Sequence, residues 1–455
     1  MRLKFNNIGI IKEADILIDG LTVLAGQNDT GKSTVGKLLY SLIKVSNNYK
    51  KVLRMNQRDS LINIIDELAN EVKEINSIKL VIPQDVGKNN INSYSASSVD
   101  FFDQDEMNRR RIKEVIINND NDMSKFIEMV KGYIKKIGIF EPNLNVDKYY
   151  SKVSKIKILD DNSFEVKSAA IDLMIEDEFK NQISNTEIKE LSMIKLLDKE
   201  FTIIDLLLND NTVADINALK SSSFTDITYI DTPFQLQDYS ISELMKIQSG
   251  RKFLKKHSID LIEKLYSKYI DDNKDTENII NEIEKKEKAE KFENIIKQVI
   301  GGDFEYSHKI RNFVYRRNGD EYRLVNTATG IRAFAMLKIL LNSGHLVKDS
   351  VLIIDEPEVH LHPQWQMDYA ELLVRMVKEL EIKVVINSHS PYMIEAFKVY
   401  SDHYGISGIT NFYNMQREGN FTEVIWANNS LGEIFDELSI PFSKLDKLRI
   451  ADFDK

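Results

Sequence analysis

Residues 21–33 decide the fold, and they read Leu21-Thr22-Val23-Leu24-Ala25 followed by Gly26-Gln27-Asn28-Asp29-Thr30-Gly31-Lys32-Ser33. The first five residues are a short apolar run typical of a buried strand. The next eight fit the pattern G-x-x-x-x-G-K-S/T. Glycines in such a loop let the backbone curl until its N–H groups point at phosphate oxygens, at the positive end of the following helix. The stretch therefore predicts a phosphate-binding loop (P-loop) between a strand and a helix.

The fixed side chains of this loop indicate which ligand it takes. Lys32 brings a positive charge to β- and γ-phosphates, and the hydroxyl of Ser33 is a hard oxygen ligand for Mg²⁺. A surface turn with a lone lysine is the plainer alternative, but the flanking strand and helix argue against it. We therefore predict ATP and Mg²⁺ as cofactors and Lys32 as a catalytic residue. The predicted nucleotide contacts from this loop are Gly26, Asn28, Asp29, Thr30, Gly31, Lys32, Ser33 and Thr34.

A second acidic motif follows the apolar run Val351–Ile354, where Asp355 and Glu356 end a predicted buried strand. Asp355 would hold Mg²⁺ directly or through water. Glu356 would orient and deprotonate the water that attacks the γ-phosphate. Solvated acids at an ordinary strand end are the alternative interpretation, which the presence of the P-loop disfavours.

Two further segments are candidates for contact with the phosphates. His389 follows the next apolar strand, and a histidine at the carboxyl end of such a strand reaches the ligand crevice of an open α/β sheet. A turn histidine without a partner is the alternative. Thr329 and Gly330 begin a predicted helix, whose exposed N–H groups favour anions. By itself this second signal is weak, because Ser/Thr caps with glycine are common.

Composition narrows the class of protein. The 455 residues carry a net charge of −10, and no cysteine is present, which excludes disulfides and thiolate chemistry. No apolar stretch approaches the ~20 residues that a membrane-spanning helix needs. The N-terminus carries charge where a signal peptide would have an apolar run. We therefore expect a soluble cytoplasmic protein that does not associate with membranes.

The pattern along the chain predicts a split α/β domain with a large, mostly helical insertion. Alternating strands and helices beyond Thr327 indicate a parallel sheet, and a β-hairpin is predicted with its turn at Asn318-Gly319. Helical patterns are predicted at Ser60–Ile78, Met107–Gly138, Ser168–Leu208, Ile241–Tyr269 and Thr276–Ile300, and a polar, turn-rich stretch at Pro83–Ser98. We call the split α/β domain the head. The predicted parts are the N-terminal part of the head at 1–45, the insertion at 46–225, a returning strand (Ile227–Ile230) with a helical arm at 226–300, and the C-terminal part of the head at 301–455.

Taken together, these motifs resemble ABC-type ATPase heads. The motifs are Gly26–Ser33, Thr329-Gly330 before a helix, the run from Asp355 to Pro363, and Ser388–Tyr392. The chain is most similar to the SMC-like and OLD-like AAA-family ATPases of prokaryotic anti-phage defence, such as those of PARIS or Septu. The resemblance covers about residues 1–45 and 300–400. It implies an ABC-type P-loop ATPase head.

The resemblance also implies roles for single residues. Heads of this family pair head-to-tail around two ATP molecules, so Thr329 and Gly330 would touch the partner's γ-phosphate. Glu356 would be the general base and His389 the switch histidine, with His360 and His362 near the dimer-facing loop. The family uses a glutamine to contact Mg²⁺, and the candidates are Gln235, which we take as the metal residue with Ser33 and Asp355, and Gln237.

Two departures from the family limit the prediction. The transporter-type signature is absent, and Asn326–Gly330 is only a short relative of it. The tail Phe397–Lys455 is too short for the Toprim nuclease domain of OLD nucleases, so we predict no nuclease within this chain.

Three functions remain as hypotheses. The leading one is an ATP-gated homodimer, or higher oligomer, that senses a signal through its insertion and controls a separate effector protein. The alternative is an SMC-like ATPase that grips DNA through the basic clusters Asn108–Arg111 and Lys131–Lys136, although such clusters are more often solvated helix faces. A transporter subunit fits poorly because the insertion is too large. A zinc site at His360, His362 and His389 is also disfavoured.

Overall fold

The structure is a computed structural model that describes residues 1–81, 106–107, 109–113, 116, 123–156, 163–185, 187–188, 190–237, 239, 243–244, 256–270 and 279–440. The described chain divides into two compact units, Met1–Tyr49 with Lys167–Lys455, and Lys50–Val166. The predicted turn-rich stretch Pro83–Ser98, the residue Asn108 and residues 441–455 of the tail lie outside the described residues. So do residues 276–278 and most of residues 241–255 of the predicted helical arm.

Fourteen strands are described, eleven of them in one sheet. They are β1 (Arg2–Ile8), β2 (Ile11–Leu17), β3 (Leu21–Ala25), β4 (Ser192–Asp198), β5 (Phe201–Asn209), β6 (Thr212–Leu219), β7 (Ile227–Ile230), β8 (Asp303–Ser307), β9 (Asn312–Arg317), β10 (Asp320–Arg323), β11 (Val351–Asp355), β12 (Lys383–Ser388), β13 (Thr410–Glu418) and β14 (Phe421–Trp426). The large sheet has the order β6-β5-β4-β1-β2-β14-β13-β3-β12-β11-β7.

Nine helices are described with defined ends. They are α1 (Lys32–Val81), α2 (Met123–Phe140), α3 (Val146–Ser154), α4 (Phe164–Phe179), α5 (His257–Ile270), α6 (Ile279–Ile300), α7 (Thr329–Asn342), α8 (Pro363–Leu380) and α9 (Pro391–His403). Residues 431–440 are also helical. Within the part of the chain that the structure covers, no helix is long and apolar enough to cross a membrane.

Five neighbouring strands of the large sheet, β13-β3-β12-β11-β7, are parallel. The middle ones are buried along nearly their whole length, because helices cover both faces of such a sheet. All five residues of β3 are buried, as are all four of β7. The predicted α/β fold with a P-loop between strand and helix is confirmed, and β3 and β7 have the predicted bounds.

The remaining strands make the sheet mixed rather than wholly parallel. β1 pairs with β2 and with β4 in antiparallel orientation, and β4, β5 and β6 follow as an antiparallel meander. Apolar side chains of this meander, among them Ile194, Leu206 and Leu208, are buried. β8, β9 and β10 form a separate antiparallel sheet. Its predicted turn at Asn318-Gly319 is confirmed, with positive φ at both residues, as a two-residue hairpin turn requires.

The helix predicted over Ser168–Leu208 is wrong in its second part. The helix α4 ends at Phe179, and β4 and β5 occupy Ser192–Asn209. A tight turn with positive φ at Lys199 connects β4 to β5, and another at Asp210 connects β5 to β6. The spacing of the apolar residues there suits either a helix or a strand. The turns are what make the segment form strands. Because β4–β6 extend the head sheet, the compact second unit is shorter than the predicted insertion at 46–225.

The second unit, Lys50–Val166, has an apolar core of its own. Leu61, Ile65, Leu68, Val130 and Tyr149 are among its buried side chains. Its helices α2 and α3 pack against each other.

Candidate nucleotide-binding site

The register of the parallel strands brings the predicted motifs to one edge of the sheet. Asp355 at the end of β11 pairs with Asn387 on β12, and Ser388 pairs with Ala25 on β3. Ile230 at the end of β7 is level with the same edge. The P-loop, the acidic pair, His389 and the segment after β7 therefore all leave the sheet at its carboxyl edge, where open α/β sheets bind ligands.

The backbone of the P-loop has positive φ angles, which glycine adopts more readily than other residues. Gly26 has φ of +153° and Gly31 has φ of +86°. A Cβ atom at Gly26 would lie 2.5 Å from the carbonyl oxygen of Met415 on β13. Asp29 is in the left-handed region at φ of +58°, which Asp tolerates better than most residues. Residues 27–29 are exposed, and Thr30 is buried.

Lys32 is buried within its own loop. Its Nζ donates to the carbonyl oxygens of Gly26, at 2.9 Å, and Gln27, at 2.6 Å. Burial lowers the pKa of Lys32 from its ordinary value, while the carboxylates of Glu356 and Asp355 act in the opposite direction. The charge of Lys32 is therefore held at the centre of the loop, facing the acidic pair, where a triphosphate would be gripped.

Arg417 of β13 contacts the tip of the P-loop. Its Nη1 donates to the backbone carbonyl oxygen and to Oδ2 of Asp29, both at 3.0 Å. Sequence reasoning missed Arg417, because it lies far from Asp29 in the chain and belongs to no motif.

Asp355 is fixed on both sides. Its Oδ2 accepts a hydrogen bond from the hydroxyl of Tyr229, at 2.9 Å, and its Oδ1 accepts one from Nδ2 of Asn387, at 3.0 Å. Each carboxylate oxygen keeps a lone pair, so the group remains able to accept from a metal-bound water. Tyr229 was a second residue that the sequence did not single out.

Glu356 takes an unusual backbone conformation at the end of β11, with φ of 45° and ψ of 55°. Its N–H donates to the carbonyl oxygen of Asn387 at 2.9 Å. The carboxylate is 39% exposed and lies 3.7 Å from Nδ1 of His389. A left-handed glutamate at a strand end is strained and is common at functional sites. The side chain is thereby directed away from the sheet, toward solvent beside His389.

Glu358 holds the loop that carries His389. This carboxylate is buried, and its Oε1 accepts from the hydroxyl of Ser388 at 2.9 Å, from the backbone N–H of His389 at 2.6 Å and from that of Ser390 at 3.1 Å. Nδ1 of His389 lies 3.2 Å from the same oxygen. A buried carboxylate at the start of α9 also suits the positive end of the helix. Sequence reasoning assigned Glu358 no role beyond its place in the motif.

The two candidate glutamines differ in their surroundings. Gln235 is buried, and its Nε2 donates to Oδ1 of Asp231. Its Oε1 is buried without a hydrogen-bond partner among the described residues. Gln237 is exposed and donates to the hydroxyl of Tyr239 at 2.8 Å. Since buried polar atoms are nearly always paired, the free oxygen of Gln235 makes it the better candidate for a metal contact.

Thr329 and Gly330 begin α7 as predicted. Gly330 is buried, and a Cβ atom there would lie 2.8 Å from Cζ3 of Trp365 and 3.1 Å from the carbonyl oxygen of His360. Packing therefore requires glycine at this position, whatever it binds. Thr329 is half-buried at the same helix start.

The histidines of the acidic motif have local partners. The ring of His360 packs edge-on against Phe234, with 5.0 Å between ring centroids. His362 caps α8, where its Nδ1 accepts from the backbone N–H of Gln364 at 3.4 Å. Across the described residues no three His, Cys, Asp or Glu side chains are grouped so as to hold a metal ion.

A comparison with protein-family models decides the family. The model described as "AAA ATPase domain" matches residues 1–394, most of the chain. The chain belongs to the AAA ATPase domain family. This AAA ATPase therefore binds ATP as its family does, and the predicted ATPase class is confirmed at that level.

Solved structures similar to this AAA ATPase include heads of SMC proteins. One is a head bound to the C-winged helix domain of ScpA, with 10% identity, a TM-score of 0.36, and 95% of this chain and 98% of that chain covered. Another is the SMC head domain from Thermotoga maritima, with 9% identity, a TM-score of 0.36, and coverage of 94% and 98%. A third, from Pyrococcus furiosus, has 10% identity, a TM-score of 0.32 and coverage of 98% of each chain. No curated protein matches the chain significantly.

The structure of the AAA ATPase places most of the predicted residues at one edge of the sheet. The P-loop, Asp355, Glu356 and His389 are at strand ends that neighbour one another, and Gln235 follows the adjacent β7. Thr329 and Gly330 instead begin α7, next to Trp365. The residues that the sequence missed, such as Tyr229 and Asp231, orient these predicted ones.

Proposed function

We propose that this AAA ATPase hydrolyses ATP with Mg²⁺ and acts as a dimeric switch in an anti-phage defence system, where it controls a separate effector protein. The observation that carries the proposal is the position of Glu356. It is an exposed carboxylate in a strained conformation, beside His389, on the same sheet edge as the P-loop.

The residues at the sheet edge fit a magnesium ion. Ser33, Asp355 and Gln235 offer a hydroxyl, a carboxylate and an amide oxygen, the hard ligands that Mg²⁺ prefers. The buried, unpaired oxygen of Gln235 is the feature that independently supports such a ligand. When bound, the ion would neutralise charge on the β- and γ-phosphates. Lys32 supplies the remaining positive charge from within the loop.

Glu356 is the proposed general base. Its carboxylate would accept the proton of the water that attacks the γ-phosphate, which requires hydrogen-bond reach to that water. His389 would donate to the γ-phosphate from the neighbouring strand end. Glu358 keeps the backbone of the His389 loop in place, because three donors from that loop converge on its Oε1.

Pairing of two heads is the second part of the proposal. Phe234 and Val359 are about half exposed, and they flank His360 beside the acidic motif. These two exposed apolar side chains would lie in the interface between the paired heads. Thr329 and Gly330 would bring the start of α7 to the γ-phosphate held by the partner, so that ATP bridges both heads. Hydrolysis would remove this bridge and signal to the effector.

The test is the solution mass of Glu356→Gln with and without ATP·Mg²⁺, by light scattering after size exclusion. This substitution retains the nucleotide site and removes the base, so we expect a nucleotide-dependent step from monomer to dimer. Glu395→Gln, an exposed acid on α9, is the matched control for charge. Lys32→Ala should abolish the step. A mass that remains monomeric with ATP bound would contradict the pairing, and an unchanged oligomeric mass would show assembly without ATP.

The alternative of a DNA-acting ATPase has less support from the basic clusters. Arg110 pairs with Glu106, and Lys131 pairs with Glu128, so neighbouring acids neutralise part of the positive charge. Binding to DNA that weakens steeply with salt and that stimulates ATP hydrolysis would favour this alternative over the switch.

A further inference from the structure

A buried histidine lies between two carboxylates behind Gln235. Nδ1 of His257, the first residue of α5, is 2.7 Å from Oε2 of Glu178 in the last turn of α4. Nε2 of His257 is 3.0 Å from Oδ2 of Asp231, which follows β7. The imidazole is 2% exposed, and the carboxylate of Glu178 is fully buried. The backbone N–H of His257 also donates to Glu178, at 2.5 Å.

The contacts of this ring indicate its charge. An ionised carboxylate only accepts hydrogen bonds, whereas a neutral imidazole has one donor and one acceptor. Two carboxylates on opposite nitrogens are therefore both satisfied only by an imidazolium, which donates from each. Burial lowers the pKa of His257, but the hydrogen bonds to Asp231 and Glu178 outweigh it and leave the pKa above its ordinary value. The ring also lies 4.6 Å, centroid to centroid, from that of Tyr229, whose hydroxyl binds Asp355.

The same chain of contacts sets the orientation of Gln235. Asp231 accepts from His257 with Oδ2 and from Nε2 of Gln235 with Oδ1. Because an ionised Asp231 cannot donate, the amide must present its nitrogen to that carboxylate. The oxygen of Gln235 is then the atom left without a donor. A neutral His257 or a displaced Asp231 would free the amide to turn.

We propose that His257 is a positioning residue, an imidazolium fixed between Glu178 and Asp231 that keeps the Gln235 oxygen available to a metal ion. The inference rests on the proposed function, in which Gln235 contacts Mg²⁺. It goes further in assigning a buried histidine, with no substrate contact, to the orientation of a ligand. Removing the partner of a metal ligand typically lowers metal affinity 10- to 100-fold.

The first test concerns the ring alone and needs no nucleotide. Protein labelled with ¹⁵N-histidine contains seven histidines, and at pH 8 an unperturbed imidazole is neutral, since its pKa is about 6.5. We expect the ring of His257 to have both nitrogens protonated. The signal is assigned by its loss in His257→Gln or, should that variant not fold, by its shift in Glu178→Gln. A neutral His257 ring at pH 8 would overturn the proposal.

The second test separates positioning from plain stability, with Mn²⁺ as the probe ion. In a Glu356→Gln background, which stops turnover, we expect His257→Gln to lower Mn²⁺ affinity of the ATP complex about tenfold. ATP binding in EDTA should stay unchanged. The control is Lys264→Met, which removes a buried charge from the same helix, α5. Lys264 pairs with Asp226, which lies next to the opposite end of β7. The variant should lower the melting temperature without changing Mn²⁺ affinity.

The outcomes of these tests distinguish the proposed function from the proposed role of His257. A parent protein that binds no ATP would contradict the proposed function itself. If the protein binds ATP and Mn²⁺ and His257→Gln changes neither affinity, only the role of His257 is contradicted. An equal loss of Mn²⁺ affinity in Lys264→Met would show that stability, rather than the orientation of Gln235, explains the effect.

Discussion

Arg417 binds the carboxylate and the backbone carbonyl oxygen of Asp29 with the same guanidinium nitrogen, at 3.0 Å in each case. The contact joins the tip of the P-loop to β13. Asp29 places a negative charge on a loop whose ligand is a polyanion, and its side chain is 85% exposed. The guanidinium offsets that charge and secures the left-handed turn at Asp29.

We therefore expect Arg417→Gln to weaken ATP binding about five- to tenfold, because an uncompensated carboxylate repels the triphosphate at the moderate dielectric of a protein surface. Equilibrium binding of a fluorescent ATP analogue measures the change. Asp29→Asn in the Arg417→Gln background should restore most of the affinity, since it removes the repelling charge. If the double variant binds no better than Arg417→Gln, the guanidinium acts by another route.

Glu358 is expected to stabilise the His389 loop through its buried carboxylate. Glu358→Ala leaves the backbone N–H of His389 and the hydroxyl of Ser388 without their acceptor, and the N–H of Ser390 with Oγ of Ser388 alone, at a cost of about 3 kcal/mol in the free energy of unfolding. Glu358→Gln keeps one acceptor oxygen and should cost about 1 kcal/mol. Chemical denaturation monitored by fluorescence gives both values. Two variants as stable as the wild type would contradict the interpretation of Glu358 as the anchor of this loop.

A substitution of Gly330 tests the packing between the start of α7 and Trp365. In a helix, Gly→Ala alone should stabilise by about 0.5–1 kcal/mol. Because the added Cβ would meet the ring of Trp365 at 2.8 Å, we instead expect Gly330→Ala to destabilise by about 1–3 kcal/mol. Trp365→Leu in the same chain should recover part of this loss, as coupled neighbours do. Additive effects of the two substitutions, measured by denaturation, would contradict direct contact.

The surroundings of Asp226 predict that the free energy of unfolding depends on pH in the acid range. Burial raises the pKa of Asp226, but the hydrogen bond from His345 and the charges of Lys264 and Lys44 outweigh it, so the pKa lies well below its ordinary value. A carboxylate with a depressed folded pKa stabilises the protein above its unfolded pKa of about 3.9, and that contribution is lost as the pH falls further. The free energy of unfolding should therefore drop below about pH 4.

Asp226→Asn is the variant that isolates this contribution. It should flatten the acid limb of stability against pH while lowering stability at neutral pH. Asp320→Asn, an exposed acid on β10, serves as the control for lost charge. An acid limb in Asp226→Asn that matches the wild type would assign the effect to other carboxylates.

Much of the site was predictable because its chemistry is local in the sequence. The P-loop, the strand ending at Asp355 and the loop at His389 are contiguous motifs, and their apolar strands predict where parallel strand ends meet. The same rule located β7 and hence Gln235, although only the structure distinguishes it from Gln237 by burial.

The failures have equally physical causes. Residues 192–208 contain apolar side chains at spacings that suit a helix or a strand, and the decision depends on the turns at Lys199 and Asp210 and on pairing with β1. Contacts such as Arg417 with Asp29, or His257 with Glu178, join segments that no local pattern relates. They are set by tertiary packing, which sequence periodicity does not encode.

The position of β3 bears on how the protein is made. β3 lies between β12 and β13, so both of its neighbours follow it much later in the chain. At about 5–20 residues per second, the first three strands emerge from the ribosome well before the partners of β3 exist. Met415, whose carbonyl oxygen closes over Gly26, belongs to β13 and is made with it. The nucleotide pocket is therefore completed only after β13 has been synthesised, and a nascent chain that ends before β13 cannot use ATP as a template for folding its earlier segments.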